Sequence, residues 1–229
     1  MKTDLLLAFS SFHVDSDPNC GMEDEYAICY EQLLRILPDN YFVIFVDNTV
    51  KDINELKSDR LKNVLGQRCK FFYDDNIGKT NKGLGELDML IRVKKTFNLR
   101  DYKTVSYLTG RRIITCPYVF DKVSELKKDA IMSNPPLYSI ESGNAYPVGD
   151  NLYNDMFFAM KTESMIDYCD YAQMQISQKT SCGSEQILYN FVNQSNLEYE
   201  WIESLGFIRN DWELGGTNYS KEKGNAQWI

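Results

Sequence analysis

The sequence predicts an α/β protein of one domain, with a mainly parallel central sheet flanked by helices. Apolar runs of strand length alternate with stretches whose apolar residues recur at helical spacing. A length of 229 residues suits one domain that buries a substantial core without disulfides or a structural metal. Polar, turn-forming residues follow the apolar runs, as expected where strands deliver their carboxyl ends to a ligand cleft.

Leu5 to Ser11 reads as a first buried strand. Met22, Tyr26, Cys29, Leu33 and Ile36 then share one helical face, and Pro38 ends that helix. Tyr41 to Val46 is a second strand that stops at Asp47-Asn48-Thr49, and Lys70 to Tyr73 a third. The loop from Asp74 to Gly85, rich in Gly, Asn and Lys, leads into a helix over Glu86 to Phe97 that buries Leu87, Leu90, Ile91 and Val93. Thr104 to Leu108 is a fourth strand, ending in Thr109-Gly110-Arg111-Arg112; an extended Ile113 to Thr115 and a short helix after Pro117 follow. Beyond Ala130 the texture is irregular. Leu137 to Ile140 is extended between two turn clusters, before helices near Met165 to Gln175 and Glu185 to Val192. Alternation of this kind implies a sheet covered on both faces.

Composition excludes several classes. A formal charge of -8 argues against a nucleic-acid surface, which needs clustered Lys and Arg. The six Cys form no CxxC pair and there is one His, so neither a zinc site nor a secreted disulfide framework is expected. Leu5 to Phe9 is too short for a signal peptide or a membrane span, and no transmembrane segment is expected elsewhere. The expectation is a cytoplasmic protein whose membrane association, if any, is peripheral.

Four strand-ending segments are polar and converge in this topology: Ser10-Ser11, Asp47 to Thr49, Asp74 to Gly85 and Thr109 to Arg112. Asp47 and Asn48 offer acceptors and donors suited to ribose hydroxyls or a base edge, or else form a simple turn. Asn76-Ile77-Gly78-Lys79-Thr80-Asn81-Lys82-Gly83-Leu84-Gly85-Glu86 combines glycines, two lysines and a helix start, which together suit a diphosphate. It is not a P-loop, because Tyr73 stands where that motif needs glycine. Arg111 and Arg112 follow a strand and a glycine, where a guanidinium clamps phosphate oxygens; alternation sends only one of them into the cleft.

Candidate carboxylates for proton chemistry are Asp155, Glu185 and Asp150, with Glu141 nearby in sequence. The stretch Asp150 to Phe158 sets acids beside aromatics, as a sugar-binding face does, and Asp155 is the first choice of base. Glu185 opens a helix, where a first-turn acid also has a purely electrostatic reason to stand. The lone His13 follows the first strand.

Together, Phe45 to Thr49, Asn76 to Lys79 with Asn81 to Gly83 and Gly85-Glu86, Tyr107 to Arg112, and Asp155 to Met160 resemble the GT-A-like glycosyltransferases, particularly small bacterial and viral enzymes of polysaccharide or lipopolysaccharide assembly. The resemblance spans roughly residues 5 to 210. It implies a GT-A-like, Rossmann-like domain over 1–229, with a nucleotide-sugar half to about residue 115 and an acceptor half from about 116. It also implies transfer of a sugar from a nucleotide-diphosphate sugar to a carbohydrate or glycolipid acceptor, with nucleoside recognition near Ser10, Ser11, Asp47 and Asn48. The family's divalent metal, Mn²⁺ or Mg²⁺, sits on an Asp-x-Asp motif at the end of the fourth strand. Here that place reads Thr109-Gly110-Arg111-Arg112, and the only Asp-x-Asp is Asp15-Ser16-Asp17. Either basic side chains replace the metal on the departing diphosphate or another carboxylate holds it. A carbohydrate- or nucleotide-binding module without turnover and a nucleotidyltransferase are the alternative functions.

Overall fold

The computed structural model describes residues 3–13, 22–67, 70–74, 76, 82–109, 112–133, 138–141, 144–147, 157–178, 182–202 and 207–209. The elements in its first half are β1 (Asp4–Ser10), α1 (Met22–Ile36), β2 (Tyr41–Asp47), α2 (Asp59–Leu65), β3 (Lys70–Tyr73), α3 (Lys82–Thr96), β4 (Thr104–Thr109) and β5 (Arg112–Ile114). In the second half follow α4 (Tyr118–Ser124), β6 (Ala130–Ser133), β7 (Tyr138–Glu141), β8 (Asn144–Pro147), β9 (Phe157–Lys161), α5 (Thr162–Ser177), α6 (Ser184–Gln194), β10 (Tyr199–Ile202) and β11 (Phe207–Arg209).

Seven strands form the central sheet in the order β10-β6-β9-β4-β1-β2-β3. Strand β9 runs antiparallel to both β4 and β6, and every other pairing in this sheet is parallel. Two small antiparallel pairs, β5 with β11 and β7 with β8, stand apart from it. The carboxyl ends of β1, β2, β3, β4, β6 and β10 therefore share one edge, where ligands bind in open α/β sheets.

All seven residues of β1 are buried, because helices cover the sheet on both sides. Leu5, Leu7 and Phe9 pack with Leu87, Leu90, Val93, Met165 and Ile187 of α3, α5 and α6. Leu6 and Ala8 face the opposite way, onto Tyr26, Tyr30, Leu61, Val64 and Phe120 of α1, α2 and α4. Each large apolar side chain so buried contributes on the order of 2 kcal/mol, which makes this strand the spine of both cores. At its amino end Asp4 accepts from Thr104 Oγ1 (2.7 Å), Asn40 Nδ2 (2.9 Å) and Ser124 Oγ (2.8 Å), fastening the opposite edge of the sheet.

Two expectations are corrected. Phe157 and Phe158, read as part of a sugar-binding face, are fully buried in β9 at the centre of the sheet. The third helix begins at Lys82, four residues before the expected start, so Lys82, Gly83 and Glu86 are helical. The irregular second half in fact supplies three strands of the central sheet, β6, β9 and β10.

Candidate functional site

The ends of β4, β1, β2 and β3 lie side by side, in register Phe9 with Thr109, Ser10 with Asp47, and Asp47 with Tyr73. Asp47 has no exposed surface. One carboxylate oxygen accepts from the Phe12 N–H (2.9 Å), the other from the N–H and Oγ1 of Thr49 (2.7 Å each). Burial pushes its carboxyl up to about 6, against the downward pull of these hydrogen bonds. Ser10 Oγ donates to the Val46 carbonyl (3.0 Å), and the Ser11 N–H donates to Tyr26 Oη (3.2 Å).

Asn48 is equally buried. The orientation that satisfies both ends of its amide has Nδ2 donating to Ser11 Oγ (2.7 Å) and to the Ser10 carbonyl (3.2 Å), while Oδ1 accepts from the Glu86 N–H (3.3 Å). The side chains of Ser10, Ser11, Asp47 and Asn48, expected to meet a nucleoside, are thus bonded to the protein itself. They build the floor of the cleft.

Asn76, after β3, turns its Nδ2 onto the Gly85 carbonyl and Asp88 Oδ2 of α3, both at 3.0 Å. Arg92, one turn further on, pairs with Asp88 (2.8 Å) and with Asp74, so the beginning of the loop is clamped to the helix. Glu86, expected at the ligand, is buried and accepts from Tyr107 Oη at 2.6 Å. Tyr107 is stacked between Phe9 (4.5 Å) and Phe158 (4.8 Å), so Glu86 is directed to the core rather than the cleft. Gly83, expected to let a phosphate approach the backbone, meets another helix: a Cβ built there would stand 2.8 Å from Ser184 Oγ. The starts of α3 and α6 consequently abut. Glu185 lies in the first turn of α6 beside this junction, half-buried, its Oε2 accepting from Ser184 Oγ at 3.3 Å.

Thr109 ends β4, largely buried. Gly78, Lys79, Asn81, Gly110, Arg111, Asp150 and Asp155 lie outside the described residues, as does Asp15-Ser16-Asp17. Of Lys82 and Arg112 the backbone alone is described, in α3 and β5.

Glu23 escaped the sequence reading. Its Oε1 pairs with His13 Nε2 (2.7 Å) and its Oε2 accepts from the N–H groups of Lys57 and Ser58 (2.7 Å each). His13 N–H in turn donates to Thr49 Oγ1 (2.9 Å), so a buried first-turn acid supports the loop after β1. It shares the first turn with Asp24 and Glu25, each equally suited to the helix dipole, and nothing local to the sequence separates the three.

No group of three His, Cys, Asp or Glu among the described residues is placed to hold a metal, and β4 ends in Leu108-Thr109 rather than in carboxylates. The described residues therefore do not fit the divalent ion that the resemblance implies. A cavity of about 330 Å³ lies at the other edge of the sheet, lined by the end of α3, Arg100 and Ile166. Its Lys94 and Arg100 are already paired with Asp170 and Glu163.

Neither protein-family models nor curated proteins match the sequence. Solved structures do match the fold. A nucleotide-diphospho-sugar transferase from Desulfovibrio desulfuricans G20 superimposes with a TM-score of 0.54 at 14% identity, over 89% of this chain and 80% of its own. A 4-diphosphocytidyl-2C-methyl-D-erythritol synthase from Anaerococcus prevotii DSM 20548 gives 0.55 at 12% identity, over 88% and 87%. Mouse xyloside xylosyltransferase 1 gives 0.52 at 10% identity, over 87% and 84%. At such identities the likeness is one of architecture: the chain has the GT-A-like α/β fold that these proteins share.

Proposed function

We propose that this protein is a nucleotide-sugar-dependent glycosyltransferase that moves a sugar, a hexose by the resemblance, to a carbohydrate or lipid-linked glycan acceptor. One observation carries the proposal. Four polar strand ends meet on one edge of a mainly parallel sheet, and those of β1, β2 and β3 are hydrogen-bonded to each other and to α3 near its start. The transferases among the fold's neighbours support the same class. The nucleoside then lies over the loops after β1 and β2, on the floor built by Ser11, Asp47 and Asn48. The diphosphate faces the start of α3, whose N–H groups and positive dipole end favour an anion, with Lys79, Lys82 and Arg111 adding charge.

Ser184 abuts Gly83 at the start of α3 and Glu185 follows it in the first turn of α6, which supports Glu185 as a candidate base. In an inverting transfer Glu185 takes the proton of the acceptor hydroxyl, whose oxygen forms the new bond to the anomeric carbon. The bond from that carbon to the diphosphate breaks, and its electron pair leaves with the nucleoside diphosphate. Asp155 and Asp150 are the alternative bases. Polysaccharide assembly in the cytoplasm, peripheral to a membrane, is the setting we propose; among the described residues no helix is long and apolar enough to cross one.

The likeness to the diphosphocytidyl synthase favours a second reading, nucleotidyl transfer, which releases pyrophosphate instead. Incubation with donors labelled in the sugar and in the nucleotide separates the two. Release of nucleoside diphosphate with label on an acceptor or on water supports glycosyl transfer; pyrophosphate release supports the second reading; no turnover of any donor contradicts both. Glu185→Gln is expected to lower kcat by 10²-fold or more with donor affinity unchanged, and undiminished turnover would remove Glu185 from the role.

A further inference from the structure

The Gly85–Glu86 peptide of α3 is gripped from outside its own helix at both of its polar groups. Its carbonyl accepts from Asn76 Nδ2 at 3.0 Å, and in the orientation that satisfies both ends of the Asn48 amide its N–H donates to Asn48 Oδ1 at 3.3 Å. The two asparagines come from different strand ends, β2 and β3, and are joined to one another: the Asn76 N–H donates to the Asn48 carbonyl (3.3 Å). Behind the peptide, Asn48 Nδ2 reaches Ser11 Oγ and the Ser10 carbonyl after β1. Asn76 Nδ2 also reaches Asp88, which Arg92 holds. One peptide unit is in this way tied to the ends of three parallel strands.

Asparagine suits position 48 because its amide donates and accepts at once, and position 76 because its Nδ2 carries two donors; alanine does neither, and aspartate donates nothing. Satisfied buried networks of this kind fix geometry more than they add stability. The segment they fix is the end of the first turn of α3, directly behind the helix start that faces the leaving diphosphate in the function proposed above.

We propose, resting on that donor-binding function, that Asn48 and Asn76 are positioning residues that need not touch the ligand. They couple the loops that meet the nucleoside to the helix start that meets the diphosphate. The diphosphate then contributes its full affinity only while both amides hold the Gly85–Glu86 peptide in place.

The test is isothermal titration calorimetry on the full chain, with uridine, guanosine, adenosine, cytidine and thymidine and their 5′-diphosphates. The readout is the ratio of the nucleoside to the diphosphate dissociation constant for the base that binds. Asn48→Ala and Asn76→Ala are each expected to lower this ratio about tenfold, the effect of one well-placed hydrogen bond, with nucleoside affinity changed less than about twofold. Asp4→Asn, at the opposite edge of the sheet, is expected to lower the melting temperature and leave the ratio alone. A merely structural role for the asparagines predicts that they behave like Asp4, and a ratio unchanged in both alanine variants overturns the proposal. Asn76 is only half-buried, so if Asn48→Ala does not fold, Asn76→Ala decides alone. If the wild-type protein binds none of the diphosphates, the donor-binding function falls and this inference with it. Wild-type binding with unaltered ratios removes the inference only.

Discussion

A carboxylate without exposed surface must be held by donors, and Asp47 is held by three, from two loops. Burial still outweighs them and raises its carboxyl from 3.8 to about 6. Because the folded value lies above the unfolded one, the native state binds more protons between these values, and the contribution of Asp47 to stability falls as pH rises from about 4 to about 6. A carboxyl raised from 3.8 to about 6 corresponds to roughly 3 kcal/mol. We expect the stability difference between wild type and Asp47→Asn to move against the wild type by an amount of that order across this window, and to be flat above it. Urea unfolding at pH 4 to 8 measures it; a difference constant across the window would mean that Asp47 is not shifted. The turn-forming character of Asp47-Asn48-Thr49 was legible in the sequence, as was its place at a strand end. The direction of the side chains was not, because it is decided by Phe12 and by α3, 35 or more positions away in the chain.

Among the elements, α3 and α6 meet with no room for an added methyl group at Gly83. A methyl group at position 83 stands 2.8 Å from Ser184 Oγ but 3.5 Å from Ser184 Cβ, so removing the hydroxyl turns a clash into an ordinary contact. Gly83→Ala is expected to destabilise the protein by about 1–3 kcal/mol on its own, and by less than about 0.5 kcal/mol when Ser184→Ala is present, where the better helix propensity of alanine can show. A double-mutant cycle checks this, and additive effects would contradict the abutment on which the placement of Glu185 depends. The long elements announced themselves through period, from Leu5 to Ser10, Met22 to Ile36 and Thr104 to Leu108. Short ones did not. The helix Asp59–Leu65 carries its signal in one cap, Ser58 Oγ accepting from the Leu61 N–H, and Phe157–Lys161 shows four apolar residues that serve equally as strand or as sugar platform until its neighbours β4 and β6 are known.

For the whole molecule, the decisive feature is that β1 to β4, distant in sequence, end on one edge with α3 beginning over them. Alternating strands and helices made that convergence readable, since parallel crossovers return each strand in the same sense. The insertion of β9 against the grain was not readable, because a single antiparallel strand leaves no trace in periodicity. In the function proposed above the nucleotide binds at this edge, and a ligand that binds only the folded chain must raise its melting temperature. The direct measurement is thermal unfolding of the wild-type protein against nucleoside diphosphates and their sugars, each with and without Mn²⁺. At a hundredfold excess over the dissociation constant, the diphosphate of one base is expected to raise the melting temperature by about 5–10 °C, for a stabilisation of about 2.7 kcal/mol. No shift with any nucleotide at millimolar concentration, with or without the metal, would contradict a donor site at this edge of the sheet.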